Sequence, residues 1–368
     1  MRDLVVLHIT TAHPALDPRI FYRECVSLAK AGYNVSLCAI SDEVFVEQGV
    51  SVIPLPVYNN RFKRAFWGNL RAFAHSLKSD ANIIHIHDPE LIPLGLILRL
   101  LGKSVIYDAH EDFPEDLRQK EWIPAVLRGL VVYLSALVWS CLPYLFSRIV
   151  AATPKIVRRF GDRNTVLVSN MPPHGVYNPK SWEEYSSLPA TMAYVGVMDE
   201  GRGVPRLWEC QKSMMQPFRL RMAGVNRLNA DMADRILSDP EVEYFGILNP
   251  QNVPALLKDC TMAAVLLENN SAYRYSLPLK LFEYFAAGLP VIATRFPYWE
   301  NLFARERCCI FVDPHNAGEI ELAVKYLLDH PQEAWEMGMR ARQMVESQFN
   351  WGNEEKRLLD LYQQLLSF

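Results

Sequence analysis

Short apolar runs recur along the chain, each followed by polar residues and then by apolar positions at helical spacing. Residues 4–9, 33–40, 51–54, 82–87, 103–107, 149–153 and 165–168 form one series of runs, and 191–195, 219–223, 242–245, 262–266, 289–293 and 309–312 form a second. Runs of this length suit strands buried on both faces, and segments between them, such as 21–31 ended by Gly32, suit crossover helices. Strand, helix, strand in this rhythm predicts α/β domains with parallel, helix-covered sheets. Between the two series, residues 170–189 carry the Pro- and Asn-rich words MPPHG and YNPKS, the composition of a linker. The expected organisation is therefore a first domain at 1–175, a linker at 176–190 and a second domain at 191–349. In the last piece, 350–368, Leu358, Leu359, Tyr362 and Leu365 share one helical face.

Two segments break the rhythm. Residues 61–78, RFKRAFWGNLRAFAHSLK, repeat Phe62, Phe66, Leu70, Phe73 and Leu77 every three or four positions, with five Arg and Lys and no acidic residue before Asp80. Such a helix can bury its apolar face among anionic lipid headgroups, or pack that face on the sheet with its cations in water. Residues 129–147 are 19 residues without a charge, close to the roughly 20 of a membrane span. Ser135, Ser140 and Pro143, and the position between strands, favour a helix buried against the sheet with one side open to lipid.

Composition narrows the partners. Hydrophobic residues are 50% and charged residues 21%, an ordinary globular mixture with material for two cores. A net charge of -3 and a pI near 6.3 argue against nucleic acid. Seven cysteines without paired spacing predict neither a zinc cluster nor disulfides. The first apolar run is too short for a signal peptide, so a cytoplasmic location is the default expectation.

Ligands of parallel sheets lie beyond the carboxyl ends of strands, and polar residues concentrate there. The loop HPALDPRIFY puts His13, Asp17 and Arg19 after the first strand, although Asp17 and Arg19 could equally cap and pair at the helix start. NIIHIH at 82–87 sets His85 and His87 on one strand face and is followed by DPEL. The strand directs Asp88 away from that face and no third ligand is placed, so no metal is expected. DAHEDFPE places His110 and Glu111 after the next strand.

In the second half, GVMDEGRG follows a strand and offers Gly196 and Arg202 in a turn whose amides can meet phosphate, and GILNPQNVP has Gly246 at a turn. SLPLKLFEYFAAGLPVIAT, 276–294, is the most informative stretch. Ser276 is a suitable N-cap, Pro278 is tolerated in a first turn, and the amides of Leu277 and Leu279 would open an anion-holding helix end. Lys280 and Glu283 lie three apart on one face, a cation for phosphate and a carboxylate for hydroxyl groups. An ordinary capped helix with an incidental charge pair would have the same residues.

That stretch, with residues 13–24 and the DAHE element, resembles the retaining glycosyltransferases of family 4, of the kind that build bacterial polysaccharides. The resemblance implies the GT-B fold: two Rossmann-like domains, parallel sheets facing across a cleft, and a last helix crossing back to the first domain. It implies a nucleotide-diphosphate sugar donor, UDP- or GDP-linked, with no further cofactor and no metal. Glu283 would hold the ribose hydroxyls, the helix start with Arg202 and Lys280 the diphosphate, and the backbone after Gly246 would lie near the base. Gly196, Ser276, Leu277 and Leu279 would complete the donor site. His110 would stand near the anomeric centre, and His13, Asp17, Arg19, His87 and Glu111 would line the acceptor side. The acceptor would be a glycan or a polyisoprenoid-linked intermediate, and 61–78 would touch the inner face of the plasma membrane. The sequence departs from the family at Tyr275, where a second Glu is usual, at Val197, where a basic residue is usual, in a first loop without a Gly pair, and at Cys308 or Cys309, where a glycine is frequent. A sugar-nucleotide epimerase of the same fold, or an inactive glycosyltransferase-like subunit of a membrane complex, are the alternatives.

Overall fold

The computed structural model describes residues 4–118, 120, 123–270 and 273–366. The chain forms two compact units, Met1–Asn170 with Trp351–Phe368, and Met171–Asn350. In the N-terminal unit the strands are β1 Val5–Pro14, β2 Asn34–Ile40, β3 Phe45–Glu47, β4 Val50–Leu55, β5 Ile83–Ile86, β6 Ser104–Ala109, β7 Arg148–Ala151 and β8 Thr165–Leu167. Their order is β3-β4-β2-β1-β5-β6-β7-β8, parallel throughout except for the edge strand β3, which runs antiparallel to β4. Helices cover both faces, which is why the strands read as continuous apolar runs. Leu7, Ile9, Ile84 and Ile86 pack on one face with the helices Ile92–Leu100 and Ala125–Leu145. Val6, Ile83 and Ile106 pack on the other with the helical segments Ile20–Cys25 and Val26–Lys30 and with the closing helix Trp351–Leu366.

The closing helix is fixed to the N-terminal unit by named bonds. Trp351 Nε1 donates to Ser27 Oγ at 2.9 Å, and the Glu354 carboxylate accepts the Ser169 amide at 2.9 Å. The Tyr362 hydroxyl lies 2.9 Å from His85 Nδ1 and 3.1 Å from His8 Nε2. Leu358, Leu361 and Tyr362 are its deepest residues, while Leu359 and Leu365 are partly buried.

The C-terminal unit has β9 Thr191–Val195, β10 Arg219–Ala223, β11 Val242–Tyr244, β12 Met262–Val265, β13 Val291–Thr294 and β14 Cys309–Val312, in the order β11-β10-β9-β12-β13-β14 and all parallel. Residues 176–190, expected as a linker, pack within this unit instead. Tyr177 and Tyr185 are buried, Tyr185 donates its hydroxyl to the Thr261 carbonyl at 2.8 Å, and a capping box of Ser181 and Glu184 starts the helix Trp182–Ser187. Pro and Asn mark irregular backbone, not solvation, and the aromatic residues among them supply burial.

A second expectation is corrected at Ala125–Leu145. Trp139 and Leu142 dock it on the sheet, with Trp139 between the rings of Tyr107, Phe113 and Phe160. Only Val132, Trp139, Leu142 and Pro143 are buried, and most of the remaining apolar residues point outward. It is the one helix among the described residues long and apolar enough to cross a membrane.

Each sheet reverses its winding at one place, between β1 and β5 and between β9 and β12. In the N-terminal unit the chain leaves β1 toward one sheet face and β5 toward the other. In the C-terminal unit the helices Val204–Ser213 and Leu279–Ala286 likewise join different cores. Such divergence opens a crevice at the carboxyl ends of the two central strands. Because Leu358 is wholly buried where the closing helix meets β-strand residues, Leu358→Ala should cost about 2–4 kcal/mol, read as a lowered urea midpoint at unchanged slope.

Candidate active site

In the C-terminal unit, three glycines follow one another across the ends of β9, β10 and β11. The Gly196 amide donates to the Ala223 carbonyl at 2.8 Å, and the Gly224 amide to the Gly246 carbonyl at 2.7 Å. A Cβ on Gly224 would stand 1.9 Å from the Gly196 oxygen, so only hydrogen fits between the two turns. In the following loop Asp199 accepts the Arg202 amide at 2.9 Å and pairs with its guanidinium, which lies 5.8 Å from the Tyr273 ring centre.

The helix Leu279–Ala286 enters beside this turn. Tyr284 is fully buried, and its hydroxyl accepts the Val195 amide at 2.7 Å, tying helix to strand end. The helix is capped by Pro278, not by Ser276 as expected. The residue before a proline is held extended, so helical backbone cannot start at Leu277. The Ser276 hydroxyl donates to the Tyr273 carbonyl at 2.9 Å, and the Ser276 carbonyl accepts Trp299 Nε1 at 2.9 Å. Leu277 therefore lies outside the helix, and its first helical amides are those of Leu279 and Lys280, while the Leu281 amide returns to the Pro278 carbonyl at 3.0 Å.

Lys280 carries the decisive feature. Its Nζ is buried without a hydrogen-bond partner, 4.1 Å from the centre of the Tyr194 ring and beside Gly196. Burial, reinforced by the Arg202 charge and opposed by Asp199, brings its pKa down to about 7. An ammonium held this way gains most from an incoming anion, which would restore the solvation it has lost. Glu283, one turn on, is buried. Tyr275 is exposed, 6.0 Å from the Tyr298 ring.

In the N-terminal unit a second polar cluster gathers at the ends of β1, β5 and β6. Buried Asp88 accepts the Thr10 hydroxyl at 2.9 Å and the Thr11 and Ala12 amides at 2.6 and 3.2 Å, folding the loop after β1. Asp17 accepts the Arg19 and Ile20 amides at 2.8 and 2.9 Å, the capping role. Arg19 is buried and donates two bonds of 3.1 Å to Asp108, with Glu24 3.0 Å away. His87 is also buried, its Nε2 2.9 Å from His8 Nδ1 and its Nδ1 3.4 Å from Asp108. Arg19 and His87, expected to face a ligand, are thus spent inside the unit, since two carboxylates and three imidazoles out of water need partners of their own.

His110 lies at the border of this cluster. Its Nδ1 is 3.5 Å from Asp108, and its ring stacks on His87 at 5.4 Å. Burial first, then the charges of Arg19, His87 and His13, outweigh Asp108 and lower its pKa to about 3, so the ring is neutral. A neutral imidazole can hydrogen-bond a hydroxyl without adding charge. His13 is half exposed, with Asp17 at 3.4 Å and Asp88 at 3.6 Å. Burial opposes its protonation, but Asp17 and Asp88 prevail and raise its pKa. Glu111 is exposed nearby. His8, Glu24, Asp88 and Asp108 join the cluster with no local motif to announce them; His8 merely interrupts an apolar run, and Glu24 is an acid on a buried helix face. They also overturn the expectation that the His85–His87 pair lacks further ligands, because donor atoms of His8 and Glu24 come within 4.8 Å of both.

Residues 208–360 match a family model described as glycosyl transferase-like. Comparison with curated proteins finds no match. Among solved structures the chain is similar to sucrose-phosphate synthase from Thermosynechococcus elongatus, at 17% identity over 99% of each chain with a TM-score of 0.77. It is similar to HepE of Anabaena in complex with UDP-glucose, at 11% identity over 99% of this chain and 100% of that one, TM-score 0.72. WaaG, a glycosyltransferase involved in lipopolysaccharide biosynthesis, is 18% identical over 96% of this chain and 98% of that one, TM-score 0.69. The fold is the GT-B fold of these enzymes.

With Lys280 near half-protonation at neutral pH, binding of pyrophosphate should take up about half a proton more at pH 7 than binding to Lys280→Arg, which stays charged. Calorimetry in buffers of different ionisation enthalpy measures that difference. Affinity of the wild-type chain should weaken as pH rises above 7, and equal uptake by both proteins would remove Lys280 from the anion site.

Proposed function

We propose that the protein is a retaining glycosyltransferase that takes a sugar from a UDP- or GDP-linked donor and passes it to a glycan or polyisoprenoid-linked acceptor. The observation that carries this reading is the buried, unpartnered Lys280 Nζ beside the Gly196 turn, at the switch point of a doubly wound sheet. Arg202 and the first amides of the helix Leu279–Ala286 add positive potential at the same place. A leaving diphosphate needs that potential as the glycosidic bond breaks. The glycosyl transferase-like match over 208–360 and the UDP-glucose named with HepE point the same way.

In this reading Lys280 and Arg202 hold the diphosphate and Glu283 the ribose hydroxyls, while the backbone after Gly246 receives the base. Arg202 would exchange its Asp199 partner for phosphate. The acceptor oxygen attacks on the leaving-group side, its proton passes to a donor phosphate oxygen, and configuration is retained. His110, as a neutral ring, hydrogen-bonds a hydroxyl near the reacting carbon, and His13 and Glu111 serve the acceptor. Purified protein should release nucleotide from one member of a nucleotide-sugar panel. Lys280→Ala with Arg202→Ala should lower kcat/KM at least about 100-fold, and His110→Ala should lower kcat with little change in thermal stability. Formation of an epimer from donor alone would assign the epimerase chemistry instead.

We further propose that the N-terminal unit docks on anionic membrane, the placement that a lipid-linked acceptor demands. Phe62, Phe66, Trp67 and Leu70 are exposed on the helix after Asn60, as are Leu130, Leu134, Leu137 and Val138 on Ala125–Leu145. Ala72 of the first helix and Trp139 of the second anchor both to the same sheet face. Arg61, Lys63 and Arg71 are exposed on the first helix, whereas Arg64 is bound to Glu90 and is not available to lipid. Co-flotation with phosphatidylglycerol vesicles should fall at least about tenfold when Arg61, Lys63 and Arg71 become Glu, and again when Leu134 and Val138 become Glu. Undiminished flotation in both variants would sink the docking proposal.

A further inference from the structure

We propose that His8, His85, His87 and Glu24 form a closed structural site for one divalent cation of the zinc class inside the N-terminal unit. The four residues come from three elements: His8 from β1, His85 and His87 from the end of β5, and Glu24 from the helical segment Ile20–Cys25. Each offers one donor atom, these atoms lie within 4.8 Å of one another, and all four residues are fully or almost fully buried. Donors around tetrahedral zinc at about 2.1 Å stand roughly 3.4 Å apart. Closing the remaining gap takes side-chain rotation, because the donors already converge.

The strongest support is what these groups lack. Glu24 Oε2 and His85 Nε2 are buried without a hydrogen-bond partner. Unmet polar atoms in a packed interior are costly, and two that converge ask for a common occupant.

The surroundings resemble the outer partners that orient metal-bound imidazoles. The Tyr362 hydroxyl bridges His85 Nδ1 and His8 Nε2, and Asp108 lies 3.4 Å from His87 Nδ1. Three nitrogens and a carboxylate oxygen suit zinc and its first-row neighbours. Four protein ligands leave no open coordination position, so the ion would brace β1, β5, the first helix and, through Tyr362, the closing helix. It would also fix His87, the ring on which His110 stacks. Nothing in this site depends on the glycosyl-transfer reading.

The full-length chain, expressed without a polyhistidine tag and dialysed against metal-free buffer, should retain close to one equivalent of a zinc-class ion by inductively coupled plasma mass spectrometry. Glu24→Gln and His85→Asn should each lose most of that metal and unfold several degrees lower. If either variant does not fold, the wild-type chain decides: stripped with a strong chelator, it should regain thermal stability on adding zinc, and cobalt should give the visible spectrum of a four-coordinate site. Less than about a tenth of an equivalent of any transition metal, with no stability gained on adding zinc, would overturn the proposal. Full metal content in folded variants of both positions would overturn it as well.

Discussion

An ammonium group out of water with no anion beside it is an expensive object, and the C-terminal unit is built to hold one. The Lys280 Nζ sits over the Tyr194 ring, whose face is a weak substitute for solvent. Gly224 meets the Gly196 carbonyl too closely to admit a side chain there, and Asp199 is already paired with Arg202. Holding the helix Leu279–Ala286 on β9 through Tyr284 keeps the lysine from swinging into water. The unmet charge is therefore a property of the packing, and it is the feature from which anion binding follows.

The N-terminal unit buries groups of both signs together. Glu24 and Asp108 share the Arg19 guanidinium, burial and the Asp108 charge push the Glu24 carboxyl well up, and burial lowers the pKa of His8, His85 and His110 against the pull of Asp108. Asp108 remains ionised against the cost of burial because Arg19 and the adjacent imidazoles hold it well below the ordinary carboxylate range. His110 inherits its character from this arrangement. The same ring set in water beside Asp108 would be a cation at mildly acid pH; here it is not.

The strand series and the helical crossovers were legible because strands covered on both faces must be apolar along their whole length. The turn glycines and the Lys280–Glu283 spacing were legible for a similar reason, as local patterns with a local cause. What escaped was non-local or depended on a residue's neighbours in space. Arg19 reads as a loop cation, yet it lies against Asp108, 89 positions away. Ser276 reads as a cap, but Pro278 two residues later denies it the helix. His8 and Glu24 have no motif, and only the pairing of β1 with β5 sets His8 beside His85. Composition also misled at 176–190, where prolines suggested solvent and buried tyrosines decided otherwise.

Hydrophobicity without periodicity is ambiguous in the same way. Ala125–Leu145 is apolar all round, a pattern shared by buried helices and lipid-facing ones. Trp139 and Leu142 bind one side of it to the sheet, Val132 and Pro143 are its other buried residues, and Leu130, Leu134, Leu137 and Val138 face outward. A helix needing only burial would not leave Leu130, Leu134, Leu137 and Val138 half exposed, since each forgoes roughly half of the 1.5–3 kcal/mol that full burial contributes. Arg61, Lys63 and Arg71 of the neighbouring basic helix are exposed as well. An anionic bilayer would satisfy both surfaces with one partner. A protein partner would have to match an extended apolar helix and a basic one at the same time, a more demanding requirement than the bilayer meets by its ordinary chemistry.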